Sequence, residues 1–270
     1  MPWRLTEDID GFLARTGDFL RSRPALHTSQ LTRLEKLRTH GEPGTLFGWL
    51  EDGEVSAIFY RRPSQRLVLT SVAPEQADAL AAELAGRSLS GVTADDDSAT
   101  AFAEAWQRRT DAVPVPGMRV RLHRLGTLSP PEPMPEGRAV DARDRAEIIR
   151  WCSEFATAVG QAPITDERSW AASNFADKQF TFWETDSPVA MAGSTPVLAG
   201  MVRVDPVYTP ARSHGRGYAG AVTAAVSRAA LAAGATDVVL YSDPANVTGN
   251  ALYRRLGFVP IATFRGYDFR

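Results

Sequence analysis

The sequence has little of the features that mark several specialised classes of protein. Its 270 residues include one cysteine, Cys152, and four histidines. A lone thiol cannot form an internal disulfide. One cysteine and four histidines also provide few ligands for zinc, and we therefore expect no metal site. No stretch approaches the roughly 18 consecutive apolar residues of a membrane helix, and the start, MPWRLTEDID, has neither the basic nor the apolar region of a signal peptide. These absences predict a cytoplasmic protein with no membrane partner.

Neither sign of charge is in excess. Lysine and arginine total 30 and aspartate and glutamate total 32, so no basic field across the whole molecule favours nucleic acid as a partner. Hydrophobic residues make up 44% and charged residues 23%, which is the balance of a globular protein. The length allows two ordinary domains, each with its own core. The oligomeric state is not set by these properties.

A proline-rich segment divides the chain. Residues 127–137, TLSPPEPMPEG, hold four prolines and no periodic apolar pattern, which is typical of a linker. We therefore predict an N-terminal domain over 1–126, a linker over 127–137 and a C-terminal domain over 138–270.

Both halves show the same order of helical and strand-like patterns. In the C-terminal half, a helix, three strands, a helix, a strand, a helix and closing strands are predicted at 141–158, 179–184, 188–192, 197–204, 217–233, 238–241, 246–256 and 259–269. In the N-terminal half, the corresponding ranges are 6–38, 46–50, 55–60, 67–71, 75–85, 89–92, 98–109 and 118–125. The repetition predicts two tandem copies of one α/β (α+β) unit, each a mixed, mostly antiparallel twisted sheet flanked by helices.

The stretch HGRGYAG, residues 214–220, has three glycines in the spacing G-x-G-x-x-G of a dinucleotide-binding loop. That fold needs a tight turn from strand to helix and several further parallel strands. Here seven residues separate the predicted strand end, Val207, from Gly215, and 27 residues follow Asp243. These surroundings argue against a nicotinamide or flavin site.

The same glycines have a simpler physical consequence. They leave successive backbone N–H groups unobstructed at a helix N-terminus, where the helix dipole and the unpaired donors attract a phosphate. Arg216 adds a charged donor. The alternative is a glycine-rich turn needed only for close packing.

The residues around this loop resemble a known superfamily. The run VRVDPVYTPARSHGRGYAGAVTAAVSRAALAAGA, followed by DVVLYSDPANVTGNALYRRLGF, is similar to motifs A and B of the GCN5-related N-acetyltransferase (GNAT) superfamily, whose members bind acetyl-coenzyme A (acetyl-CoA). The superfamily's loop pattern, Q/R-x-x-G-x-G/A, falls on His214, Gly217 and Ala219, and His214 departs from the usual glutamine or arginine. The resemblance covers residues 197–258 and implies a tandem GNAT protein whose C-terminal copy binds acetyl-CoA.

The resemblance also implies which residues hold the cofactor. The strand that ends near Val207 splays from its neighbour and offers main-chain groups to the pantetheine arm, while the loop amides hold the diphosphate. Three polar residues on one face of a helix border the thioester. The implied cofactor-binding residues are Val207, Tyr208, Thr209, His214, Gly215, Arg216, Gly217, Tyr218, Ala219, Gly220, Asn246, Asn250 and Tyr253.

Two of these residues are implied as catalytic. In the superfamily a main-chain N–H of the splayed strand stabilises the oxyanion, a role that falls to Val207 and next to Tyr208. Tyr253 matches the position of a tyrosine that protonates or hydrogen-bonds the sulfur, and a phenol with a pKa of about 10 is protonated at neutral pH. Packing is the alternative role of Tyr253, and helix capping or solvation is the alternative for Asn246 and Asn250.

The general base is not fixed by the sequence. Three carboxylates, Glu154, Glu184 and Asp205, lie on the predicted elements, and each is also typical of a solvated surface residue. Deprotonation relayed by water is a further alternative.

Acceptor selection in the superfamily falls to the first helices and their loop, here residues 148–163. Trp151, Phe155 and Trp183 are the aromatic residues predicted to line such a cleft, with core packing as the alternative.

The N-terminal copy is predicted to have lost the cofactor. Its counterpart of the phosphate loop, VLTSVAPEQADALAAE, has no glycine, and Glu75 and Asp78 stand where a phosphate would sit. It would then serve as a scaffold, a wall of the acceptor cleft or a partner surface.

The predicted function is that of an acetyl-CoA-dependent N-acetyltransferase that acts on a primary amine of a small molecule or peptide, by direct attack of the amine on the thioester. Two alternatives stay open. One is a GNAT-fold acyltransferase with a carrier-protein or aminoacyl-tRNA donor, the one case with a nucleic-acid partner. The other is a non-catalytic acyl-CoA-binding module.

Overall fold

The computed structural model describes residues 2–270, which form two compact units. Unit 1 comprises the chain up to Leu122 together with Ile261–Arg270, and unit 2 comprises His123–Pro260. The sequence-based division at 127–137 assigned residues 261–270 to the second domain. The structure groups them with unit 1 because they pair with one of its strands.

Unit 1 is a mixed sheet with helices on both faces. Its elements are β1 (Trp3–Thr6), α1 (Ile9–Ser22), α2 (Thr28–His40), β2 (Leu46–Asp52), β3 (Glu54–Arg61), β4 (Leu67–Leu69), α3 (Pro74–Glu83), β5 (Gly91–Asp95), α4 (Asp96–Arg109) and β6 (Pro114–Leu125), which ends in unit 2. The strand order is β1-β2-β3-β4-β5, antiparallel except for the parallel pair β4 and β5. Helices α1 and α2 cover one hydrophobic cluster and α3 and α4 cover another.

Unit 2 repeats this architecture. Its elements are β7 (Arg138–Asp141), α5 (Arg145–Ala158), α6 (Glu167–Ala172), β8 (Gln179–Glu184), β9 (Pro188–Ser194), β10 (Met201–Tyr208), α7 (Tyr218–Ala232), β11 (Asp237–Ser242), α8 (Val247–Arg255) and the start of β12 (Phe258–Phe269), most of which belongs to unit 1. The strand order is β7-β8-β9-β10-β11, with only β10 and β11 parallel among these neighbours. Helices α5 and α6 pack on one face and α7 and α8 on the other. The second half of β12, Phe264 to Asp268, pairs with β5.

The shared order of elements confirms the prediction of two tandem units of one α/β fold. Each unit runs strand, two helices, three strands, helix, strand, helix and strand. Aspartates start several of the helices: Asp95 accepts from the N–H of Ser98 before α4, and Asp144 accepts from the N–H of Ala146 before α5. The acidic triplet at 95–97 is therefore a helix start.

Three differences from the predicted elements have local causes. The helical region 6–38 is two helices, because Pro24 disfavours helical geometry in the residue before it. The strand predicted at 197–204 is shifted to Met201–Tyr208, since Ala199 and Gly200 have positive φ values of 51° and 74° and form a turn. The short elements β1, β7 and α6 carry too few residues for a periodic pattern to show.

None of the helices in the described part of the chain combines the length and the apolar character needed to cross a membrane.

Gly257 and Gly234 allow a matched test of packing in unit 2. Gly257 follows α8 and Gly234 follows α7, with φ values of 96° and 89°. A Cβ on Gly257 would lie 1.9 Å from the carbonyl oxygen of Thr127, whereas one on Gly234 would meet nothing within 4 Å. We expect Gly257→Ala to lower the free energy of unfolding by about 3 kcal/mol and Gly234→Ala by about 1 kcal/mol, since only the first adds a backbone collision to the left-handed strain. Urea unfolding followed by circular dichroism measures both values. Equal losses would show that the collision at Gly257 is relieved without cost.

Candidate active site

A crevice opens in the sheet of unit 2 between β10 and β11. The two strands pair in parallel only from Met201 to Arg203, against the first half of β11. β10 continues to Tyr208, but the described residues beyond Arg203 make no further ladder pairs with β11. The carboxyl ends of two parallel strands that separate are where ligands bind in α/β sheets.

A β-bulge in β10 lies at the start of this separation. Val204 pairs with Ser194 and Val207 pairs with Ala192, so β10 holds one residue more than β9 between the two pairs. Pro206, inside the bulge, has no N–H to donate to either neighbouring strand. A bulge bends its strand and increases the local twist, which moves the end of β10 out of the ladder with β11.

The bulge is followed by two residues whose N–H groups differ in direction. Val207 and Tyr208 both pair with β9 on one side of β10. Successive N–H groups of a strand point to opposite edges, so one of these two points away from β9 and towards the crevice. A main-chain donor is therefore present at this place, as the resemblance implied for Val207 and next for Tyr208.

Helix α7 begins with uncapped N–H groups. Its N-cap is Gly217, in the left-handed conformation with φ 82°, and no side chain caps the helix. The first helical hydrogen bond runs from the N–H of Ala221 to the carbonyl of Gly217, at 3.1 Å. The N–H groups of Tyr218, Ala219 and Gly220 thus have no partner within the helix and carry the positive end of its dipole. Such a helix start can bind a phosphate group.

His214 holds the loop that leads into α7. Its Nε2 lies 2.7 Å from the carbonyl oxygen of Thr209, which closes the turn after β10. Gly215 follows with φ 76° and open space around its Cβ position, and Arg216 is exposed. The departure from glutamine or arginine at position 214 therefore has a structural role within the loop. The carbonyl oxygen of Thr209 already accepts the hydrogen bond from His214. We therefore expect any contact between Thr209 and the pantetheine arm to involve another atom of Thr209.

The proline-rich segment packs beside this end of α7. A Cβ added to Gly220 would lie 3.2 Å from the Cγ of Pro131, and one added to Gly217 would lie 3.8 Å from the Cγ of Pro135. Residues 127–137 are therefore a packed part of unit 2, in contact with the glycines of the candidate phosphate site.

Tyr253 projects from α8 with a hydroxyl that no residue in the described part of the chain hydrogen-bonds. Its ring lies 6.1 Å from that of Phe258 and 6.3 Å from that of His123. Burial, and then the negative charge of Asp205, raises the pKa of Tyr253 to about 12. The phenol is therefore protonated at neutral pH and its proton is not engaged elsewhere.

Asn250 anchors the turn before α8. Its amide nitrogen donates to the carbonyls of Asp243 and Asn246, at 2.8 and 2.7 Å, and its oxygen accepts from the hydroxyl of Ser242 at 2.6 Å. The Nε2 of His123 lies 2.9 Å from the same hydroxyl. The amide predicted to contact the cofactor is thus used inside the protein, and the role that the structure gives to Asn250 is a buried anchor.

Asn246 is the N-cap of α8. Its side-chain oxygen accepts from the N–H of Gly249 at 2.8 Å. The capping role, which the sequence left as the alternative, is the one that the structure shows. The residue is exposed, so its amide nitrogen is still open to a ligand.

The predicted cleft of Trp151, Phe155 and Trp183 does not form. Trp151 and Phe155 belong to the cluster under α5, whereas Trp183 packs under α7, where its Nε1 donates to the carbonyl of Glu136 at 2.9 Å. Successive residues of a strand face opposite sides of a sheet, so a residue's face depends on the phase of its strand. Trp151 is 1% exposed and is a core residue. Phe155 and Tyr208 remain partly exposed, with ring centroids 6.4 Å apart.

Two of the three candidate carboxylates flank the carboxyl half of β10. Glu154 accepts from the hydroxyl of Tyr208 at 3.3 Å and pairs with Arg150 at 3.1 Å. Asp205 lies in the bulge and pairs with Lys178. Glu184 is on β8, two strands away from β10. Glu154 and Asp205 therefore lie at this half of β10, and the carboxylate of Asp205 is already held in an ion pair.

In unit 1 the corresponding main-chain groups are already occupied. The hydroxyl of Ser98 lies 2.9 Å from the N–H nitrogen of Val72 and 3.2 Å from its carbonyl oxygen, just after β4. Asp78, predicted to repel a phosphate, is paired with Arg108 and Arg109. In unit 1 the main chain after the β4 strand is therefore hydrogen-bonded internally, and Asp78 is held in ion pairs.

Comparison with known proteins agrees with this geometry. Residues 145–258 match the family model described as the acetyltransferase (GNAT) family. A GCN5-related N-acetyltransferase from Kribbella flavida is 23% identical, with a TM-score of 0.53 over 78% of this chain and 86% of that one. A GNAT-family acetyltransferase from Colwellia psychrerythraea is 12% identical, with a TM-score of 0.58 over 100% of both chains. A tandem GNAT protein from the clavulanic acid biosynthesis pathway is 14% identical, with a TM-score of 0.60 over 98% of this chain and 97% of that one. No curated protein matches the sequence significantly.

The two units of the chain share the fold of solved GNAT structures, one of them a tandem protein, and residues 145–258 match the GNAT family model. The matched segment lies within unit 2, the unit that carries the uncapped helix start and the crevice.

Asn250 and Asn246 give a test of the anchor. We expect Asn250→Ala to lower the free energy of unfolding by about 2 to 3 kcal/mol, because it removes the buried hydrogen bonds that the side-chain amide forms with the Ser242 hydroxyl and with two carbonyls. Asn246→Ala removes one exposed cap and should cost about 1 kcal/mol. Differential scanning calorimetry of the two variants measures the difference. An Asn250→Ala loss no greater than that of Asn246→Ala would show that the anchor is dispensable.

Proposed function

We propose that unit 2 is an acetyl-CoA-dependent N-acetyltransferase that acts on a primary amine by direct attack. The observation that supports this most is the uncapped first turn of α7, which follows β10 in the chain, the strand that leaves its ladder with β11 after the bulge. Together they offer phosphate donors and a strand edge within one crevice, the two features that coenzyme A requires.

The donor set suits a diphosphate. The N–H groups of the first turn point at one place, Gly215 and Gly217 add no side chains there, and Arg216 is exposed beside them. Main-chain N–H groups at a helix start bind anions through unpaired donors and the dipole together. Arg216 adds a charge-assisted bond of greater strength than a neutral one. When bound there, acetyl-CoA would supply an activated acetyl thioester.

The residues around the crevice can serve the transfer in separate ways. The N–H of Val207 or Tyr208 that points into the crevice can stabilise negative charge on an acyl oxygen. The Tyr253 hydroxyl holds a proton at neutral pH, which a departing thiolate needs. The same residues match those that the resemblance implies as catalytic.

Direct attack is favoured over an acylated cysteine. Cys152 is buried, and burial raises the pKa of its thiol to about 12. A thiol in that environment is not a nucleophile at neutral pH. The acceptor is then an amine that reaches the crevice itself, from a small molecule or a peptide, and a cytoplasmic location stays a prediction.

Arg216 tests the phosphate site. We expect Arg216→Ala to weaken the binding of acetyl-CoA by about tenfold, the effect of one partly screened charge-assisted bond. Isothermal titration calorimetry at two salt concentrations measures the dissociation constant, and the wild-type value should depend more steeply on salt than that of the variant.

The control is Arg228→Ala, an exposed arginine of the same helix about three turns away. This variant removes one positive charge, as Arg216→Ala does, but Arg228 lies far from the helix start. Equal weakening in both variants, or no binding by the wild-type protein, would count against a diphosphate at α7.

Tyr253 tests the chemistry independently of binding. We expect Tyr253→Phe to lower kcat by about 100-fold and to leave the KM for acetyl-CoA nearly unchanged, since general acids contribute on this order to the rate. The assay follows release of free thiol with a panel of primary amines. Tyr267→Phe, a tyrosine of unit 1, is the control. Full turnover by Tyr253→Phe would remove the hydroxyl from the mechanism.

A further inference from the structure

A buried lysine contacts the β10 bulge from outside the strand pair. The side chain of Lys178, which lies just before β8, is 2% exposed, and its Nζ pairs with the carboxylate of Asp205. Asp205 precedes Pro206 in the bulge and lies two residues before Val207. The ion pair therefore joins the bulged part of β10, at the start of the crevice, to the loop after α6.

The choice of residue at this place is unusual for this chain. The sequence has two lysines, Lys36 and Lys178, among 30 basic residues, so arginine is used almost everywhere else. An ammonium is a compact point charge on a flexible stem, whereas a guanidinium needs a wide planar site. Lys178 is the buried member of the pair, at 2% exposure of its side chain, whereas the side chain of Asp205 is 34% exposed.

The charge state supports a fixed pair. Burial lowers the pKa of Lys178, and the Asp205 carboxylate acts against this change. Burial alone would raise the pKa of Asp205, but Lys178 and Arg203 outweigh it and hold the pKa below its usual value. Removing one charge from such a pair ends the attraction between the two groups. The backbone around Asp205 then loses this restraint and can move.

β9, the strand beside the bulge, accommodates the bulged backbone but does not fix its position. A Cβ on Gly193 of β9 would lie 2.8 Å from the carbonyl oxygen of Asp205 and 2.9 Å from the Cδ of Pro206. The glycine permits the close approach, and the proline has no N–H with which to form a ladder bond. The ion pair with Lys178 is an attractive contact that holds the bulged residues.

We propose that Lys178 is a positioning residue of the transfer site: by holding the Asp205 carboxylate, its ammonium fixes the bulge and thereby the direction of the main chain at Val207 and Tyr208. The kinetic consequence rests on the proposed acetyltransferase function, whereas the structural consequence does not. Lys178 acts through the backbone and touches neither the acyl group nor the diphosphate loop.

The test replaces Lys178 with methionine, which keeps the length and removes the charge. The backbone amide signals of Val207 and Tyr208 in a ¹⁵N NMR spectrum should shift or broaden, while those of Gly215–Gly220 stay in place. In the amine assay, kcat should fall by about 10- to 100-fold, because small displacements of a reacting group cost rate on this scale. The KM for acetyl-CoA should change by less than about threefold, since the phosphate donors are untouched.

Two further variants complete the experiment. Lys178→Met/Asp205→Asn removes both charges, avoids an ion without its partner if the single variant fails to fold, and should show the same amide shifts and the same loss of kcat as Lys178→Met. Lys36→Met, the other lysine, should leave both readouts unchanged.

The outcomes separate the inference from the function it rests on. Unchanged Val207 and Tyr208 signals in a folded Lys178 variant would overturn the positioning role, whatever the activity. Shifts spread equally over β10 and Gly215–Gly220, with parallel losses of kcat and acetyl-CoA affinity, would also overturn it by showing general destabilisation. A wild-type protein without transferase activity would remove the proposed function, and the amide signals would still decide the role of Lys178.

Discussion

The candidate site depends on the end of pairing between β10 and β11. Parallel strands that stayed paired to their ends would leave no main-chain edge for a ligand and no space beside α7. One additional residue in β10, between the pairs Val204–Ser194 and Val207–Ala192, is the change that separates them. The helix start, the free hydroxyl of Tyr253 and the candidate carboxylates become parts of one site only because the crevice is open.

Comparison of the two units shows which features matter. Both have the same order of elements and the same parallel pair of strands at the corresponding place. In unit 1 the hydroxyl of Ser98 occupies both main-chain groups of Val72, so that strand end has its hydrogen bonds satisfied internally. The two units thus differ in a few contacts near one strand end, although they share the fold itself.

Much of the fold and the position of one uncapped helix start could be predicted from the sequence. Apolar periodicity and turn residues located most long elements, and the glycines at 215, 217 and 220 marked the start of α7 because they form a local pattern of residues. The roles of Asn250 and Trp183 could not be predicted in this way. The side chain of Asn250 points inward because the chain turns at Asp243, and Trp183 faces α7 because of the phase of β8. The residue type at either position does not reveal this orientation.

Lys178 illustrates the remaining limit of sequence patterns. It is 27 positions from Asp205 in the chain, and only the packing of the loop before β8 against β10 brings the two together. A lone lysine between a helix and a strand has no recognisable motif. Its scarcity in the composition was the one available signal, and that signal has meaning only when the burial of the side chain is known.

The assignment of Ile261–Arg270 to unit 1 has a consequence for synthesis on the ribosome. One edge of β5 pairs with β12, which is translated only after every residue of unit 2. That edge of β5 is therefore unpaired while the second unit emerges. Shortening the chain at its carboxyl end would therefore damage the unit that was made first.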